Sequence, residues 1–342
     1  MAGDCIRQIP RWGFVLSLAA TILMMAAASA PSLFYPQIAE RLGLIPVATT
    51  LVFAVYTFTL LAALLYLGPL SDHVGRRPVV AAGSLALALS VAMFWFAGSL
   101  AALLVARALQ GLAAGLLIPA LSAMMIDFES PSHRNIAALW NTIGPMIGLG
   151  AGALGAALLL DLTSEPTTAV FGSLVLAFLI VATVVWSTPE LVPKTQIRRG
   201  DLRPRFTVPP HLRRMFTVGV PVIIAGWATN GLFLALGADL VGSELGGSTH
   251  TQAGIVLFAL AISGVTASSV LQRRSARTIS LYATSALAFG TAVSIGALAL
   301  GSYPAYVASV AIVGSGFGTA FLGVLRTLMP HTASSERAAV MA

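Results

Sequence analysis

Residues 51–67 read LVFAVYTFTLLAALLYL, with no charged side chain, and residues 68–78 read GPLSDHVGRRP, where glycine, proline and charge crowd together. The first run does not alternate apolar with polar, as a strand in a barrel wall must. Wound as a helix, it approaches the length that crosses a hydrocarbon layer of about 30 Å. The second run has the residues of a tight reversal at a wet surface, since glycine supplies unusual backbone angles and arginine avoids lipid. Together they predict a membrane span, a short polar turn and a second span.

The same unit repeats outward in both directions. Ten spans are expected, at 12–35, 47–67, 79–96, 100–124, 136–160, 168–186, 215–236, 251–271, 279–299 and 303–325. Charged residues are 9% of the 342 positions and hydrophobic residues 57%, which excludes a water-exposed globular surface. An all-α integral membrane protein follows, with the lipid bilayer as its solvent. The apolar stretch after Arg7 and Arg11 exceeds a signal-peptide core, so it is expected to be retained as a span. One cysteine, Cys5, and no Cys/His cluster leave no disulfide framework, metal or cofactor to expect.

A net charge of +7 would suggest nucleic acid in a soluble protein, but here it marks topology. With the amino terminus in the cytoplasm, all of the 19 basic residues except Arg41 and Arg107 fall on the inner side. Asp161, Glu165, Asp239 and Glu244 then fall on the outer side, which is the positive-inside pattern of a multi-pass inner-membrane protein. Three regions are expected: a six-helix half at 1–187, a basic cytoplasmic linker at 188–214, and a second half at 215–342. The linker holds Lys194, Arg198, Arg199, Arg203, Arg205, Arg213 and Arg214, among prolines and threonines.

Sliding the chain on itself until Gly98-Ser99 meets Gly301-Ser302 also brings Gly111 and Gly115 onto Gly314 and Gly318. The same shift brings Ser132 and Arg134 onto Ser335 and Arg337. No gap is needed, and span boundaries coincide, so two parallel homologous halves are expected. On this register Ala342 meets Leu139, and the second half has four of six helices. The chain is expected to be a truncated product or a fragment.

In Gly68-Pro69-Leu70-Ser71-Asp72-His73-Val74-Gly75-Arg76-Arg77-Pro78 the order of glycine, acid, glycine and paired basic residues resembles the signature of the major facilitator superfamily. The resemblance implies two six-helix halves working by alternating access. It also implies that Gly68, Asp72, Gly75, Arg76 and Arg77 form a conformational latch, with Asp127 as a partner for the arginines. The degenerate counterpart Gln272-Arg273-Arg274-Ser275-Ala276-Arg277 keeps the bases and lacks the acid and glycines. Arg107, Gln110 and Gly111 resemble the family's second motif, which links Arg107 to proton or substrate coupling. Gly144, Pro145, Gly148 and Gly152 resemble the glycine-rich fifth helix of its drug/proton antiporters.

Read from the residues alone, these features keep two readings. Arg107 is a charge inside a span, costing about 2.5–3.5 kcal/mol on insertion scales; it is either functional or a guanidinium snorkelling to the interface. The glycine stripe equally fits close helix packing. No carboxylate lies deep in any span, and Phe34, Tyr35, Asn141, Trp227, Asn230 and Phe233 are candidates for cavity walls. The expected activity is secondary transport, not enzymatic catalysis: proton-coupled efflux of small amphipathic or hydrophobic compounds by a monomer. Uptake of a small metabolite and a non-transporting membrane protein are the alternatives.

Overall fold

A computed structural model describes residues 11–130, 136–191 and 213–328. Most of the 188–214 linker, and Cys5, Arg7, Ser132, Arg134, Ser335 and Arg337, lie outside the described residues.

The described chain is helical: α1 Arg11–Ser29, α2 Tyr35–Leu42, α3 Pro46–Leu67, α4 Leu70–Val74, α5 Arg76–Trp95, α6 Leu100–Asp127, α7 Ile136–Leu162, α8 Ser173–Val184, α9 Arg213–Ser243, α10 His250–Leu271, α11 Ala276–Ala299 and α12 Tyr303–Leu328. Among the described residues nine helical stretches are long and apolar enough to cross a membrane. The remaining expected span lies in α9, which carries a shorter apolar segment at Pro221–Gly237. The first span is longer than expected, because α1 continues through a 3-10 turn at Ala30–Phe34 into α2. Pro31 and Pro36 each sit at the start of a segment, where a missing N–H costs nothing, so the chain changes pitch without stopping. Gly43 stops it in the left-handed region, at φ 62°.

In the first half α6 is flanked by α3 and α5, α7 lies on α1, and α8 lies on α5. In the second, α12 is packed among α9, α10 and α11. The repeated glycines occupy matching places. A Cβ on Gly111 would stand 2.4 Å from the Tyr56 carbonyl of α3, and one on Gly314 would stand 2.0 Å from the Leu260 carbonyl of α10. Gly115 is pressed likewise on Ala63 of α3 and Gly318 on Gly264 of α10. Each half thus repeats one backbone-close crossing, which van der Waals contact stabilises where lipid offers no hydrophobic drive between helices.

The halves meet chiefly along α7 and α10. Gly254 lies on Ala157 and Leu154, Gly150 on Ala261, and Gly264 near Met146. Large apolar side chains such as Phe58, Leu89, Phe96, Leu176 and Phe289 are exposed around the outside, the surface that lipid covers. The bundle has two ends: a basic end holding Arg76 and Arg77, and a far end holding Arg41, Asp161 and His250.

Candidate functional site: a latch and a buried arginine

At the basic end the glycines are sterically required. A Cβ on Gly68 would lie 2.5 Å from the Leu64 carbonyl oxygen. Gly75 has φ 106°, a conformation that L side chains rarely adopt, and its Cβ would strike a Glu190 carboxylate oxygen at 2.8 Å. The chain therefore reverses between the short helix α4 and α5 and delivers Arg76 at the first turn of α5.

The Arg76 guanidinium gathers three groups. Its Nε donates to Asp127 Oδ2 at 3.1 Å, and its Nη1 donates to Ser71 Oγ at 2.7 Å and to Asp72 Oδ1. Arg76 is largely buried while the Asp72 side chain is 59% exposed, so the Asp127 pair is the better shielded from solvent screening. Asp72, Arg76 and Asp127 are thus brought together, with Gly75 at the turn beside them. Arg77 is not in that cluster: its backbone N–H is used, and its buried Nε makes no hydrogen bond. The bonds of the Arg76 guanidinium stay inside the first half.

Glu190 completes the arrangement and was missed in the sequence. Its two carboxylate oxygens accept the backbone N–H groups of Arg76 and Arg77, each at 3.0 Å. A carboxylate at this place satisfies two orphan donors and meets the positive end of the α5 dipole. The only sequence signal was an acid in Ser187-Thr188-Pro189-Glu190, directly after the sixth span and at the start of the basic linker. Thr188 is extended, as a residue before proline prefers, and this carries Glu190 away from the end of its helix.

Arg107 lies deep in α6 and is 1% exposed, so it does not snorkel. Its Nε donates to the Tyr35 hydroxyl at 2.6 Å and its Nη1 to Gln110 Oε1 at 2.6 Å; Gln110 in turn donates to the Ala27 carbonyl of α1 at 2.9 Å. The rings of Tyr35, Phe53, Tyr56 and Phe94 surround the guanidinium at 5.0–5.5 Å. Each such ring face attracts a cation by about 0.5–2 kcal/mol. No carboxylate among the described residues pairs with Arg107, and its buried Nη2 has no hydrogen-bond partner. The site holds a permanent positive charge with a donor to spare.

The glycine stripe faces α1. Gly144 is near Leu18, a Cβ on Gly148 would meet the Ile22 carbonyl at 2.4 Å, and one on Gly152 would meet Ala26 at 2.4 Å. Ser29 donates across this seam to the Leu149 carbonyl at 2.8 Å. Pro145 lies inside α7 among these glycines. Of the cavity-wall candidates, Tyr35 holds Arg107, Phe34 is buried against Phe171, and Phe233 is buried beside Tyr306. Asn230 is buried with its Oδ1 unpartnered, Asn141 leans on the Ser122 carbonyl, and Trp227 is exposed with its ring edge-on to Phe317.

The chain is 32% identical over 148 residues to a puromycin resistance protein of Streptomyces alboniger, covering 42% of this chain and 29% of that protein. It is 31% identical over 229 residues to the multidrug efflux pump LfrA of Mycolicibacterium smegmatis, covering 64% of this chain and 41% of the pump. It therefore spans less than half the length of these curated relatives. A solved bacterial homolog of the human lysosomal transporter Spinster superposes with a TM-score of 0.71 at 13% identity, over 97% of this chain and 78% of that one. The fold, the latch residues and a Major Facilitator Superfamily profile matching residues 16–342 agree, and the chain belongs to that superfamily of transporters.

Proposed function

We propose that this chain works as a proton-coupled exporter of small amphipathic or hydrophobic compounds, by alternating access of its two halves. The observation that carries the reading is Arg107, a buried, unpaired guanidinium in a cage of aromatic rings. A charge so placed is costly, and such residues line substrate or ion pathways. The similarity to a multidrug efflux pump and a resistance protein supports an export direction.

Arginine stays protonated, so Arg107 supplies a fixed field and is not the proton carrier. The Asp72 and Asp127 carboxylates hold Arg76 at the basic end, and losing either charge removes a charge-assisted bond from it. The basic end faces the cytoplasm under the positive-inside bias, which puts the amino terminus inside. On this reading the basic linker joins a half ending near residue 187 to a half beginning near 215.

Cells expressing the protein are expected to accumulate less of a lipophilic fluorescent dye than control cells. The difference should vanish with an uncoupler, with Asp72→Asn and with Arg107→Met. The spare Nη2 donor favours one other reading, uptake of a small anionic metabolite. Greater accumulation of a carboxylate probe in expressing cells, with no effect on the dye, would select it.

A further inference from the structure

We propose that Asp161 is a catch that closes the far mouth between the halves, by capping the first turn of α10 from the opposite half. Asp161 stands at the end of α7; His250 and Thr251 open α10. Asp161 Oδ1 accepts the His250 backbone N–H at 3.1 Å and faces His250 Nδ1 at 2.8 Å. Its Oδ2 accepts the Thr251 backbone N–H at 2.7 Å and the Thr251 hydroxyl at 2.6 Å. The other ring nitrogen of His250 lies 3.1 Å from Gln37 Nε2 on α2, also in the first half.

A helix start leaves its first N–H groups without partners, and a residue just before it ordinarily supplies the cap. Here Thr249 occupies that place and its side chain makes no capping bond. Gln252 reaches back to the Ser248 N–H at 2.9 Å and leaves His250 and Thr251 to Asp161. The cap therefore exists only while the halves are together at this end. Directly beneath it Gly254 rests on Ala157, so the seam closes without a large side chain in the way. At the basic end the Arg76 guanidinium bonds within one half, whereas this carboxylate bonds from one half to the other. Separating the far ends strips one carboxylate of four donors in a single movement, which gives the seam two discrete arrangements rather than a gradual one.

The catch gives the alternating-access reading its far-side gate and rests on it. The test separates the two. In a Cys5→Ser background, Ala153→Cys places a thiol on α7 deep in the seam, where Ala153 is fully buried. The rate at which a membrane-impermeant maleimide labels it from the far side reports the opening of that mouth. Asp161→Ala should raise the rate about tenfold; Asp161→Asn, which keeps an acceptor and loses the charge, should raise it less; Asp161→Glu should restore it in part. Should Asp161→Ala fail to fold, the Asp161→Asn value decides alone. Labelling equal to the unsubstituted protein in the folded variant overturns the catch even if dye export is normal. Faster labelling in a protein that exports no dye supports the catch and removes the exporter.

Discussion

Arg107 sets a test at the scale of one residue, because burial and function pull in opposite directions there. Arg107→Met relieves the cost of an uncompensated buried charge and leaves the Tyr35 hydroxyl and Gln110 Oε1 without their donor, effects of opposite sign and each on the order of a few kcal/mol. Arg107→Met is therefore expected to leave the melting temperature within about 3 °C of the parent while cutting dye export at least tenfold. Arg107→Lys keeps the charge but not the fork that reaches Tyr35 and Gln110 together, and should recover only a fraction of export. A melting temperature that falls in step with export would reduce Arg107 to a structural role. Glu190 makes the opposite prediction. Glu190→Ala strands the Arg76 and Arg77 N–H groups and should cost about 1–3 kcal/mol; Glu190→Gln should cost less, since one oxygen still accepts. Thermal unfolding in detergent reads both. Arg107 was legible in the sequence because any charge in an apolar run stands out. Glu190 was not, because its partners lie 114 and 113 residues away and nothing local announces a cap supplied from such a distance.

At the scale of the helix, glycines separate into those that hold a neighbour and those that hold none. A side chain at Gly148 must displace the Ile22 carbonyl of α1, whereas a Cβ on Gly155 meets nothing within 4 Å. Gly148→Val is expected to destabilise the α1–α7 seam by about 1–3 kcal/mol. Gly155→Ala should be neutral or stabilise by up to about 1 kcal/mol through helix propensity. A melting series on the two variants checks the contrast; equal effects would mean that the seam yields freely. Helix positions themselves were largely readable, since long apolar runs leave little choice of structure in a bilayer. The extension of the first span through Leu42 was not, because Gln37, Glu40 and Arg41 interrupt the apolar run. Arg41 is accommodated at the far end by donating to the Ala97 carbonyl at 2.8 Å, a tertiary contact that hydropathy does not contain.

Among the described residues the two halves meet along α7 and α10 through small residues, with Gly254 on Ala157 and Gly150 on Ala261. The repeat of Gly111 and Gly115 in Gly314 and Gly318 announced the matching halves; the cross-half cap at Asp161 was visible only as an acid at a span end. The proposed orientation has the basic end in the cytoplasm. In a Cys5→Ser background, Ser248→Cys should react with an impermeant maleimide in intact cells, and Arg273→Cys only after the membrane is opened. The reverse pattern would invert the topology. The central claim is coupled export, and flux in proteoliposomes tests it most directly. With the protein reconstituted, a pH gradient imposed and a lipophilic dye present, the dye should move against the proton flux. That movement should stop when the gradient is collapsed and should be lost in Arg107→Met. Dye movement that is the same with and without the gradient, or the same as in protein-free vesicles, would contradict it.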